Sequence, residues 1–172
     1  MTDLVPSRPD GGWVSAQLLE DVRAIILAAR GKAIRSVDFH RVTMYWQIGE
    51  RIVEEEQGGE DRAEYGTQLI DELAKTIEPE FGSGFTPRQL RRARQFYRVY
   101  PIWTAVRAEL SWYQYRTLMA IEDHDEREYY ELEAVHNAWT GRELERQVNS
   151  GLFERLLKSN LNPAGIDHIR VG

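Results

Sequence analysis

Apolar residues recur along this chain at intervals of three and four, and strict alternation never persists beyond a few positions, so the pattern predicts helices throughout. From Ser15 the positions Leu18, Leu19, Val22, Ile25, Ile26 and Ala29 form one such stripe. A second helix is predicted over about Asp38 to Gln57, with Val42, Tyr45, Trp46, Ile48, Gly49, Ile52 and Val53 inward and Gly58-Gly59 ending it. A third, over Thr67 to Glu80, turns Leu69, Ile70, Leu73 and Ile77 inward. Phe81-Gly82-Ser83-Gly84-Phe85 reads as a glycine turn, and a fourth helix follows over 87–99. Beyond Pro101 the pattern predicts a short helical piece to about Ala108, a helix opening at Ser111 and another over Asp125 to Ala138. A last helix, opening at Thr140 and running through 157, carries Leu144, Val148, Leu152 and Leu156. The predicted fold class is all-α: one domain of about seven helices over 15–158, between a loose leader (1–14) and a tail (159–172).

Polar residues sharpen three of these starts. Thr86 with Gln89, Ser111 with Gln114 and Thr140 with Glu143 each have the spacing of a capping box, and Pro87 suits a first helical position. Trp46, Trp112 and Trp139 fall within apolar stripes and read as core.

Charge changes the picture in one place. The 172 residues have a formal net charge of -6, yet Phe85 to Arg107 holds six arginines and no acid. Acidic segments flank it: Glu50 to Glu80 on one side, Ile121 to Glu145 on the other. At about 100° per residue, Leu90, Ala93, Tyr97 and Tyr100 share one face of the fourth helix. Arg88, Arg91, Arg92, Gln95 and Arg98 gather opposite, with Arg94 and Phe96 on the flanks. A cationic face in an acidic protein is the footprint of a surface that docks on phosphate or on an acidic partner. The third helix, the glycine turn and the fourth helix together have the layout of a helix-turn-helix, whose second helix enters the major groove.

The DNA-binding candidates are therefore Thr86, whose helix end offers backbone amides to a phosphate, then Arg88, Arg91, Arg92 and Arg98 for phosphate or guanine, and Gln89 and Gln95 for adenine. The competing reading balances the arginines with acidic neighbours such as Glu72, Glu78 or Glu80, leaving an ordinary salt-bridged surface.

Taken in order, several segments go beyond pattern. They are Tyr45-Trp46-Gln47-Ile48-Gly49-Glu50-Arg51, Arg62-Ala63-Glu64-Tyr65-Gly66, Gly84-Phe85-Thr86-Pro87-Arg88-Gln89-Leu90 and Arg94-Gln95-Phe96-Tyr97 with Tyr100-Pro101. Leu110-Ser111-Trp112, Glu126-Arg127-Glu128-Tyr129-Tyr130 and Trp139-Thr140-Gly141-Arg142-Glu143-Leu144-Glu145-Arg146-Gln147 complete the series. Over about residues 17–157 the chain resembles the N-terminal domain of the YhcG family of bacterial proteins. The resemblance implies a helical, DNA-binding domain that usually precedes a nuclease domain of the PD-(D/E)xK type, in proteins linked to DNA recombination or restriction. Here no Pro-Asp is followed at a distance by Glu-x-Lys, and a metal-dependent nuclease needs clustered carboxylates and a lysine. The expectation is thus a module without catalytic residues, its partners being DNA, a second copy in a homodimer, or a separately encoded PD-(D/E)xK nuclease. The alternative function, a protein-interaction or oligomerisation module, draws on the amphipathic helices 15–57 and 141–157.

Other chemistry reads as structural. There are no cysteines, which removes disulfides, thiolate metal sites and a cysteine nucleophile. His40, His124, His136 and His168 lack metal-ligand spacing, and Asp125 beside His124 reads as an N-cap. Neither a metal nor a cofactor is called for. Glu54-Glu55-Glu56 reads as a solvated helix end, unless it pairs with the arginine helix. Tyr113 and Tyr115, flanking Trp112 near Arg116, read as packing rather than nucleic-acid contact. No signal peptide or membrane span is apparent, so the expectation is a cytoplasmic protein with no membrane partner.

Overall fold

The structure, a computed structural model, describes residues 12–31, 37–59 and 63–160. Among them the elements are helices only, confirming the all-α class: α1 (Ala16–Gly31), α2 (Val37–Gly58), α3 (Ala63–Phe81), α4 (Pro87–Val99), α5 (Trp112–Leu118), α6 (His124–His136), α7 (Gly141–Asn149) and α8 (Leu152–Asn160). Single 3-10 turns cover Ser83–Phe85 and Trp103–Ala105. None of these helices is long and apolar enough to cross a membrane. The described chain gathers into two compact units that meet in sequence at Arg107 and Ala108.

In the first unit α2 packs against α1, α3 and α4. Leu18, Val22 and Ile26 of α1, Ile48 and Ile52 of α2, Leu69, Ile70, Leu73 and Ile77 of α3, and Leu90, Ala93 and Phe96 of α4 are all fully buried. That stripe-to-stripe burial is the main stabilising term, at roughly 1.5–3 kcal/mol for each large side chain. The boundaries of the long helices fall within a few residues of those predicted, except that α3 begins at Ala63, a turn earlier, and takes in Phe81. Most of the predicted leader and tail lies outside the described residues. What is described of the leader is held: the Trp13 backbone N–H donates to Glu72 Oε2 (2.9 Å) and the indole meets the Tyr65 ring edge-on at 5.1 Å. The predicted helix to Ala108 is one 3-10 turn, with Ala105 N–H donating to Ile102 and Val106 N–H to Trp103.

The second unit is built on two complete capping boxes, as predicted. Ser111 accepts from Gln114 N–H while Gln114 Oε1 accepts from Ser111 N–H, and Thr140 and Glu143 do the same. Gln114 then donates through Nε2 to the Trp139 carbonyl (2.6 Å), tying α5 to the start of α7. Trp112, Tyr115, Leu118, Tyr130, Ala134 and Leu144 form the core. Three expectations are corrected. The N-cap of α6 is Asp123, which accepts from Glu126 N–H at 2.7 Å, and Asp125 sits in the first turn. The single helix predicted over 141–157 is two, since Gly151 adopts φ +65 and breaks the run. Trp139 is only half-buried, unlike Trp46 and Trp112.

Candidate nucleic-acid interface

The arginine helix α4 is gripped along its length by α2. Gly49 is the point of closest approach: a Cβ there would stand 2.0 Å from the Ala93 carbonyl oxygen and 3.0 Å from Tyr97 Cβ. Only glycine lets the two backbones touch in this way. One turn earlier in α2, two consecutive residues reach past either end of α4. Tyr45 Oη donates to the Gly84 carbonyl (2.7 Å), just before the helix, and Trp46 Nε1 donates to the Tyr100 carbonyl (2.7 Å), just after it. Trp46 also packs against the rings of Tyr97 and Trp103. Leu90, Ala93, Phe96 and Tyr100 turn inward. Phe96, assigned to a flank by the helical wheel, is fully buried because the inward face is wider than the four predicted positions.

The helix start is half of the predicted box. Thr86 Oγ1 accepts from Gln89 N–H (3.3 Å), and Pro87 occupies the first turn. The return bond is missing: the Gln89 side-chain oxygen is enclosed with no partner among the described residues. Gln89 is half-buried overall.

The remaining candidates share the outward side of α4 at helical spacing. Arg88 is exposed and, among the described residues, has no ion-pair partner. Arg91 Nη2 donates to Asp71 Oδ1 of α3 at 2.7 Å, with both side chains about two-fifths exposed. Arg98 Nη2 donates to Glu56 Oε2 of α2 at 2.9 Å while remaining 56% exposed. Glu56, only 12% exposed, also accepts from Arg94 Nη1 at 2.7 Å, so one carboxylate answers two guanidiniums. Gln95 is exposed and Arg92 half-buried, and each has a partner. The structure thus brings Arg88, Arg91, Gln95 and Arg98 into one outward ridge, and sets Arg92 and Arg94 beside it.

Asp71 and Glu56 are the residues that sequence reasoning missed as parts of this surface. Their signal was the surplus of acid in Glu50 to Glu80, but position along α2 and α3 decides which acids reach α4. Glu72 accepts from the Trp13 backbone N–H, and Glu80 accepts from Arg23 Nε (3.0 Å). Of the Glu54-Glu55-Glu56 run, Glu55 bonds Arg51 (3.1 Å) and Glu56 does pair with the arginine helix. A neighbouring Gly66 makes room: a Cβ there would lie 2.8 Å from Glu56 Oε1 and 3.0 Å from Arg94 Nη1.

The other clusters are weaker. His124, Asp125 and Glu128 bring three ligand atoms within 4.8 Å of one another, all on exposed side chains in the first turns of α6, where carboxylates already favour the positive helix end. Tyr115 is fully buried, while Tyr113 is 41% exposed and hydrogen-bonded to Glu145, which raises its phenol's affinity for its proton. Ser111 is accounted for by its cap.

With this geometry in hand, comparison with known proteins is specific. Residues 21–155 match the family described as the DUF1016 N-terminal domain. The chain is 31% identical over 176 aligned positions to the Escherichia coli (strain K12) protein named "Putative nuclease YhcG". That alignment covers 84% of this chain and 47% of the relative, so the chain spans about half the length of the protein it matches. No solved structure matches.

Proposed function

The chain belongs to the DUF1016 N-terminal domain family, and on that premise we propose that it is a nuclease-associated helical module that docks on duplex DNA and carries no catalytic group of its own. One observation carries the reading: α4 presents Arg88, Arg91, Gln95 and Arg98 as an outward ridge, on a helix that contains no acid. Ten residues separate the ends of that ridge, a reach of about 15 Å along the helix axis, enough to meet several phosphates. The bonds from Arg91 to Asp71 and from Arg98 to Glu56 each use one hydrogen, and a guanidinium carries five donors, so most of each fork still faces outward. The α3–turn–α4 segment supplies a helix-turn-helix layout, in which α4 is the recognition helix.

The test is fluorescence anisotropy of the chain against short duplex DNA across a salt series. Each phosphate contact contributes about -0.9 to the slope of log K against log salt, so Arg88 and Arg98 predict a slope of roughly -1.8. Replacing Arg88 and Arg98 together by alanine reduces that slope by about 2 without lowering the melting temperature appreciably. A double variant that binds as wild type does would sink this assignment of the surface.

A second reading has its own observation. Leu156 and Leu157 on α8 are 41% and 47% exposed, and α8 has no fully buried residue. Exposed leucines on a helix suit docking of a protein partner, either a second copy or a separate nuclease. Sedimentation equilibrium separates the readings: association that Leu157→Glu abolishes while DNA binding persists assigns α8 to protein contact.

A further inference from the structure

The ion pairs on α4 divide into two kinds, and the division determines which arginines can be surrendered to a ligand. Glu56 is 12% exposed and Arg94 21% exposed. Pulling Arg94 away would leave a largely desolvated carboxylate short of its nearer partner, so this contact holds α2 to α4 and is not exchangeable. Arg98 differs, because on leaving it hands Glu56 back to Arg94. Arg91 differs too, because Asp71 is 40% exposed and water can take over its solvation.

Resting on the DNA-docking reading above, we propose that Asp71 acts as an intramolecular stand-in for a DNA phosphate: it occupies Arg91 at 2.7 Å, competes with duplex DNA for that guanidinium, and sets the affinity of the free module. Three features support this. The Arg91–Asp71 contact is a single charge-assisted bond between helices, with the donor and acceptor 20 residues apart in sequence. Both groups are open to solvent, so exchange requires no unpacking. Arg91 sits mid-ridge, with exposed Arg88 one turn before it and exposed Gln95 one turn after, so a strand lying along α4 must pass it. Phosphate, rather than a base edge, is the chemistry that fits, because a carboxylate and a phosphate present the same kind of anionic oxygen to the fork. Asp71 thereby lowers affinity for every duplex alike.

The consequence is measurable. While Asp71 neutralises Arg91, that arginine displaces little from the counterion atmosphere of DNA. Asp71→Asn frees it, so the salt slope steepens by about 0.9 and affinity at 0.1 M salt rises roughly eightfold. Removing any negative charge from the surface raises affinity somewhat, so the decisive measurement is the double-mutant cycle with Arg91→Ala. If Asp71 acts through Arg91, most of the eightfold gain disappears in the Arg91→Ala background. A gain that persists undiminished there, or a D71N variant whose affinity is unchanged or lower, overturns the proposal. The two readings fail separately. Wild-type binding with an arginine-dependent slope and an inert D71N refutes the stand-in alone, whereas absence of binding by both proteins refutes the docking surface and the stand-in with it. Should D71N melt early, Asp71→Ser provides the second variant, read by the same cycle.

Discussion

Replacing Gly49 by alanine tests whether the backbone contact between α2 and α4 is real and tight. On an open helix surface the change would be favourable, since alanine exceeds glycine in helix propensity by about 1 kcal/mol. Here the new Cβ would stand 2.0 Å from the Ala93 carbonyl oxygen, 2.7 Å from its carbonyl carbon and 3.0 Å from Tyr97 Cβ. Carbon and oxygen do not normally approach closer than about 3.3 Å, so relief requires the helices to part by roughly 1 Å. The atoms in the way are mostly backbone and cannot swing aside. A gap of that size forfeits a quarter to a half of the dispersion energy along the contact line, over and above an overpacking cost of about 1–3 kcal/mol. The expected net loss is about 3 kcal/mol, or roughly 6–12 °C in melting temperature for a chain of this length. Gly58→Ala is the matched control: it also lies in α2, but nothing stands within 4 Å of the point its new methyl group would occupy. It should be neutral or gain up to about 1 kcal/mol. Urea unfolding followed by tryptophan fluorescence reads both variants, with Trp46 reporting from the contact itself. A Gly49→Ala protein as stable as Gly58→Ala would refute the close crossing and the fixed placement of α4 built on it.

Arg94→Ala should cost about 1–2 kcal/mol while Arg98→Ala costs no more than about 0.5, because only Arg94 is enclosed with Glu56; equal losses in chemical denaturation would contradict the two classes of ion pair. Gln114→Ala removes both a cap partner and the bond to the Trp139 carbonyl, for an expected loss of about 2 kcal/mol, against about 1 kcal/mol for Ser111→Ala. A Gln114→Ala loss no larger than that of Ser111→Ala would show the α5–Trp139 tie to be inert. Glu143 is held below its ordinary value of 4.5, first by the Thr140 backbone bond and then by the Thr140 hydroxyl. A depressed carboxylate stabilises the fold above its unfolded pKa and ceases to do so as pH falls through the folded one. Melting temperatures should therefore fall less between about pH 5 and pH 3 for Glu143→Gln than for wild type, and parallel curves would count against this cap.

The sequence revealed what depends on neighbours along the chain, and concealed what depends on neighbours in space. Leu18, Val22 and Ile26, or Leu69, Ile70, Leu73 and Ile77, declare a buried face by spacing alone, and all seven are fully buried. The Ser111 and Thr140 boxes were equally legible, since a cap closes over three residues. Thr86 looked the same but closes only half its box, because the Gln89 oxygen is enclosed without meeting the Thr86 N–H. The partners of the arginines were harder still. Asp71 and Glu72 are adjacent and chemically alike, yet one faces Arg91 and the other meets Trp13. A rotation of about 100° between neighbours settles which is which, and it matters only once α3 is seated against α4. Gly151 was visible as a glycine, but nothing local distinguished a tolerated helical glycine from one at φ +65.

The bonds from Tyr45 and Trp46 to the ends of α4 go to carbonyl oxygens, of Gly84 and Tyr100, which every amino acid possesses. The helix is thus held by features that do not depend on its solvent-facing side chains. Positions 88, 91, 95 and 98 can be rewritten with little penalty to folding, while the inward positions and Gly49 cannot. The frame behaves as a socket: one scaffold can present many ridges, and on the proposed docking role, selection acting on what α4 meets is uncoupled from selection acting on whether the chain folds.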